Sequence, residues 1–154
     1  MKTQTIRTSV FDAWINFLRS HSAVTRQLNA DLVNAHGLTI NDYEVLLFLR
    51  RAPSRMMRRV DLAESVLLTA SGITRLLEGL ERQGLVEKVR CESDGRVSYA
   101  CLTDAGEAKL EEASSTHRAG VDALFAERYT DDELATLAEL LGRLPLAGGS
   151  CDPS

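Results

Sequence analysis

Apolar positions recur at alternating steps of three and four along the first part of the chain, at Phe11, Trp14, Leu18, Leu28 and Leu32, with His21 and Thr25 completing the series. A second stripe, Val10, Phe17 and Val24, runs seven apart. This periodicity predicts a helix over 9–35, and two stripes on one helix predict burial on more than one side. Gly37 supplies its stop. At 1.5 Å per residue such a helix spans ~40 Å, long for a small domain that folds alone.

Thr39 reads as the N-cap of a second helix, with Asp42 in its first turn and Tyr43, Leu46, Leu47 and Leu49 behind it. Ala52-Pro53-Ser54 breaks that helix. Residues 55–59 are basic and read as an extended connector. Leu62, Ala63 and Val66 predict a short helix over 61–66. Val60 is a poor N-cap for it, and Asp61 compensates in part through the helix dipole. Thr69 caps a further helix to about residue 83. Ile73, Leu76, Leu77 and Leu80 form its inner stripe, while Ala70, Ser71, Thr74, Arg75 and Glu78 lie outside. Gly84 stops it.

The β-prone Val86, Val89, Val97 and Tyr99 predict two strands over 85–92 and 97–102, joined by Asp94-Gly95 as a two-residue turn. Thr103-Asp104 opens a long helix to about residue 128. Thr130 to Glu133 is a capping box for a last helix with Leu134, Leu137, Leu140, Leu141 and Leu144, ended by Pro145. The tail 147–154 reads as disordered.

Two short helices joined by a tight turn and followed by a β-hairpin make a winged helix. The expected fold is mostly α with a small β-wing, in a single domain over 1–146. A winged helix-turn-helix lobe (39–103) is flanked by N- and C-terminal dimerisation helices (9–36 and 104–144). Those terminal helices carry more apolar surface than the lobe can cover, which predicts a homodimer with intertwined ends.

The composition of the 154 residues is that of an ordinary globular protein. No apolar run approaches the ~20 residues of a membrane span, and the first residues lack the pattern of a signal peptide. The expected location is cytoplasmic, with no membrane partner. Cys91, Cys101 and Cys151 have no metal-cluster or disulfide-framework spacing. His21, His36 and His117 form no short ligand pattern. No metal or cofactor is expected. No nucleophile–base constellation or phosphate-binding glycine loop appears, so nothing supports an enzyme.

The net charge of −4 hides an uneven distribution. From Arg50 to Arg96 ten basic residues stand against seven acidic ones, while the rest of the chain carries −7. Local charge sets attraction to phosphates, so a basic middle on a winged helix points to double-stranded DNA. The second helix of such a unit fits a major groove. Ser71, Thr74 and Arg75 are its candidate groove contacts: the short hydroxyls for phosphate or base edges, Arg75 for bidentate pairing with guanine. Arg75 has another reading, pairing with Asp94 or Glu78. Arg96 at the wing tip is a candidate for phosphate or the minor groove. Arg55, Arg58, Arg59 and Arg90 are candidate backbone contacts or simply solvated charges.

Trp14, Phe17, His21, Tyr43 and Phe48 come from two helices between dimer region and lobe. They read either as core packing or as the lining of an aromatic ligand pocket. Across the two-residue turn Cys91 would face Ser98, with Cys101 offset on the opposite face, so a disulfide within the hairpin is not expected. A redox-sensing thiol stays open.

The chain resembles the MarR family of transcriptional regulators over residues 11–144. The resemblance rests on Leu62-Ala63-Glu64, Ser71-Gly72-Ile73-Thr74-Arg75-Leu76, Leu80-Glu81-Arg82-Gln83-Gly84-Leu85-Val86, the Asp94-Gly95-Arg96 wing and Leu102-Thr103-Asp104-Ala105-Gly106. It implies a two-fold homodimer on a near-palindromic operator, released when a small, often aromatic, molecule binds or a cysteine is oxidised. Gly95 stands where the family often has a first wing arginine, Ala70 where a basic residue is common, and Val60 where a polar cap is common. The leading reading is a DNA-binding repressor released by a small aromatic effector. The alternatives are a winged-helix protein-interaction module without DNA binding, and a repressor that senses cysteine oxidation.

Overall fold

The computed structural model describes residues 9–144; the tail 147–154, Cys151 and Pro145 lie outside them. Helix α1 spans Val10–His36, capped by Ser9 and Asp12 in a reciprocal capping box and ended by Gly37 at φ +68°. Helix α2, Ile40–Arg51, opens on the equivalent box of Thr39 and Asp42. A single 3-10 turn, Pro53–Arg55, leads into strand β1, Met56–Arg58. Helices α3, Arg59–Ser65, and α4, Ala70–Arg82, form the helix-turn-helix. Strands β2, Val86–Arg90, and β3, Ser98–Leu102, form the wing. Helices α5, Asp104–Phe125, and α6, Asp131–Gly142, complete the chain.

The core lies in the lobe. Leu46, Leu49, Leu62, Leu77 and Leu80 are completely or almost completely buried, and Leu32 and Leu110 join them from α1 and α5. Removing such a side chain costs about 2–5 kcal/mol in a well-packed interior. Of the inner stripe of α4, Ile73, Leu77 and Leu80 are buried, and Leu76 is partly buried against the core. On β3 burial alternates as period two requires, with Ala100 and Leu102 buried, and Val86 of β2 pairs with Leu102 and is buried beside it.

Three sequence expectations need correction. The basic connector is not merely extended. Met56–Arg58 pairs antiparallel with β3, giving a three-stranded sheet in the order β1-β3-β2. Two methionines among arginines carry little β-signal, and only the partner strand fixes them. The short helix begins at Arg59 rather than Asp61, with Arg58 as an N-cap that makes no side-chain bond. Val60 is therefore inside the helix and never had to cap it.

The hairpin register is also one residue from the expected one. Arg90 pairs with Ser98, and the Cys91 N–H donates to the Val97 carbonyl. The turn closes from the Val97 N–H to the Asp94 carbonyl, so its central residues are Gly95 and Arg96. The Asp94 carboxylate accepts from the Arg96 N–H at 3.0 Å, and this side-chain turn is what shifts the bend. In this register Cys91 and Cys101 fall on the same alternation, contrary to the expectation. They remain separate free thiols, since four residues of offset along a strand are ~13 Å.

Gly106 explains the glycine after the wing. A Cβ there would lie 2.0 Å from the Leu85 carbonyl oxygen. The same carbonyl accepts from the Thr103 N–H, and the Thr103 hydroxyl donates to Gly84 O at 2.7 Å. The start of α5 is thereby sewn to the exit of α4. Arg55 forms ion pairs with Asp104 and Glu107 of α5, and Arg50 with Glu111 at 3.1 Å. The first half of α1 and all of α6 contain no buried residue.

Candidate nucleic-acid interface

Helix α4 presents its N-terminus to solvent. Thr69 caps it by accepting from the Gly72 N–H at 3.1 Å, which leaves other first-turn N–H groups for a ligand. Ser71 and Arg75 stand exposed on the outer face. Arg75 makes no ion pair among the described residues, so neither Asp94 nor Glu78 claims it.

Between this helix, the start of α3 and the wing lies an open groove of about 300 Å³. Arg58, Arg59, Val60 and Ala63 line it from α3 and its approach; Ala70, Ile73 and Thr74 line it from α4. Arg96, Val97 and Ser98 close it from the wing. Four of the sequence candidates, Arg58, Arg59, Thr74 and Arg96, thus share one concave surface. Ser71 and Arg75 sit on the adjoining exposed face of α4. Arg90 is exposed at the outer end of β2 and does not line the groove. Arg55 is set aside for a structural role, because two α5 carboxylates hold it.

Both candidate hydroxyls have hydrogen-bond partners within the chain. Thr74 donates its proton to the Ala70 carbonyl of its own helix at 2.8 Å. Ser71 and Thr69 share a hydrogen bond at 3.2 Å. Ser98 buries its hydroxyl oxygen at the groove wall without a partner. Val60 and Ala70, not among the sequence candidates for DNA contact, line the groove.

The five candidate pocket residues are not brought together. Trp14 stacks on Phe17 with ring centroids 6.3 Å apart, and Phe17 on His21 at 6.4 Å, all on an exposed face of α1. Tyr43 is buried instead against His117 of α5, with centroids 4.7 Å apart, and Phe48 packs on the lobe core. Apolar character along two helices could not reveal that Trp14, Phe17 and His21 stay on α1 while Tyr43 turns to α5 and Phe48 to the core. At the Tyr43 end a polar seam joins the lobe to α5: Tyr43 and Ser114 hydroxyls lie 3.4 Å apart, and His36 bonds Thr116 at 2.7 Å. His117 Nδ1 is buried without a partner, and burial lowers its pKa.

The Cys91 thiol, beside the Ser93 hydroxyl at 3.1 Å, has its pKa lowered first by that hydrogen bond and then by backbone donors. Burial raises that of Cys101. Among the described residues no cluster of His, Cys, Asp and Glu could hold a metal ion, and no helix is long and apolar enough to cross a membrane.

A helix-turn-helix backed by a three-stranded sheet, with arginines around the N-terminus of its second helix that make no ion pair among the described residues, defines a winged-helix nucleic-acid-binding protein. The family model described as MarR family matches residues 36–97. AbsC, a MarR family transcriptional regulator from Streptomyces coelicolor, is 32% identical and superposes with a TM-score of 0.75, covering 84% of this chain and 86% of that one. Sco3205, a MarR family regulator of the same organism solved in complex with DNA, is 26% identical with a TM-score of 0.78, over 84% of this chain and 81% of that one. The transcriptional repressor YetL of Bacillus subtilis is 32% identical over 70% of this chain and 64% of its own length. The chain belongs to the MarR family of transcriptional regulators. Its relatives are DNA-binding regulators and not enzymes.

Proposed function

We propose that this chain is a homodimeric repressor that binds a near-palindromic operator, each winged helix in one of two successive major grooves. The observation that carries the reading is the groove itself: Arg58 and Arg59 at the start of α3 and Arg96 from the wing converge beside the exposed start of α4 and make no ion pair among the described residues. Arginines held together without counter-charges are matched to a phosphate backbone, which positions the protein while α4 reads bases. Ser71 and Arg75 face the bases, Arg58 and Arg59 the backbone, and Arg96 the adjoining phosphates or minor groove. Arg90 adds a peripheral charge. The exposed apolar faces of α1 and α6 support the second copy.

The test is selection of duplex DNA from a random pool by the full chain. The expected product is an inverted repeat whose half-sites are about one helical turn apart. Recovery of no sequence would favour an interaction module that has lost DNA binding. Release by an aromatic acid is proposed as the control step, through Trp14, Phe17 and His21 where two copies meet or through the Tyr43–His117 seam. Trp14 fluorescence reports on the first of these. Cys91, with its lowered pKa on the wing, favours a second reading in which oxidation releases DNA.

A further inference from the structure

The groove between α3, α4 and the wing is ringed by charge but floored by hydrocarbon. Val60 is 57% exposed at the start of α3. Ala70 is exposed at the first position of α4, and Thr74 stands one helical turn further on the same face. All three line the groove with Arg58, Arg59 and Arg96. Because Thr74 has given its hydroxyl proton to the Ala70 carbonyl, it has none for a phosphate or a guanine acceptor. Its uncommitted donorless group is the γ-methyl. A cationic surface that holds three adjacent methyl-bearing side chains in water is poorly used by phosphate alone. The feature of duplex DNA that matches it is the one apolar group of the major groove, the thymine C5-methyl.

We infer that Val60, Ala70 and Thr74 form an apolar reader that selects thymine at one position of each half-site. This rests on the proposed DNA binding. It explains how α4 gains base preference with Ala70 at its first position and with its threonine hydroxyl turned inward. Arg75 then reads a different base pair by hydrogen bonding.

The experiment replaces thymine by deoxyuridine, one position at a time, in the inverted repeat recovered by selection. Deoxyuridine removes the methyl and leaves pairing and charge unchanged. Affinity should fall about fourfold at one thymine per half-site, the fold-change equivalent to ~0.8 kcal/mol for one buried methyl-sized group. Thr74→Ser keeps the hydroxyl and loses only the methyl; it and Val60→Ala should bring the thymine-to-uracil ratio at that position towards one, with the salt dependence of binding unchanged. Full affinity with deoxyuridine at every position overturns the inference while leaving DNA binding intact, and needs no variant to fold. A ratio unmoved in both variants also overturns it. If the chain selects no DNA, the inference falls together with the reading it rests on.

Discussion

Two residues carry opposite kinds of backbone constraint. Leu67, in the turn between α3 and α4, has φ +55° and is 71% exposed. A non-glycine residue in the left-handed region costs about 1–2 kcal/mol, and an exposed leucine regains little of it by packing. Leu67→Gly should therefore raise unfolding stability by about 1 kcal/mol, less the extra freedom glycine has in the unfolded chain, as read by urea denaturation. A loss of stability would show that the leucine side chain makes a contact that matters. Gly106 is the converse. It is held not by its torsion angles but by the Leu85 carbonyl pressed against it. Gly106→Ala should destabilise by about 1–3 kcal/mol, because the seam between α4 and α5 must open to admit a methyl. An unchanged denaturation midpoint would contradict that close approach.

At the level of elements, the seam of α2 and α5 has a pH response written into it. His117 lies with its ring against Tyr43 and its Nδ1 buried without a partner among the described residues. Its pKa is lowered by burial from 6.5, so the folded chain binds the proton more weakly than the unfolded chain. The sign follows: stability from this group is complete above pH 6.5, declines as pH drops through that value, and levels off below the lowered folded pKa. His117→Phe keeps a ring against Tyr43 and removes the titration. Its stability should fall less than the parent's between pH 7 and pH 5, measured by thermal unfolding; parallel curves would refute the role of His117. The elements themselves were mostly legible in the sequence. Reciprocal caps at Ser9, Thr39 and Thr130 mark helix starts within a residue, because a cap is a local interaction. Strand β1 was not legible, since Met56–Arg58 is a strand only through its pairing with β3. The wing register slipped by one because Asp94 bends the chain with its side chain, which a dipeptide rule does not weigh. The arginines of the site were legible as types and as a cluster. What was hidden is how each is used: Arg55 spent on α5, Arg75 left unpaired, and the Thr74 hydroxyl turned back on its helix.

For the whole molecule, hydrophobic surface is left over at both ends. Val10 is 90% exposed and Trp14 53%. Leu140, Leu141 and Leu144 are exposed at the end of α6 or just beyond it. A second copy is the economical cover, and sedimentation equilibrium at micromolar concentration should give twice the chain mass. Leu140→Glu together with Leu141→Glu should shift that equilibrium to the monomer while the lobe stays folded, since neither residue touches its core. A parent that sediments as a monomer would remove the dimer from the account.

The central claim is that arginines gathered around α4 meet DNA phosphates, and the salt dependence of binding to the selected inverted repeat tests it most directly. If Arg58, Arg59 and Arg96 each meet one phosphate in both copies, log affinity should fall against log salt with a slope of about −5. Arg96→Ala should weaken binding to all sequences and reduce the steepness by about one per copy, whereas Arg75→Ala should relax preference at one base pair. A slope near zero, or one that Arg96→Ala leaves unchanged, would contradict the assignment of this groove to DNA.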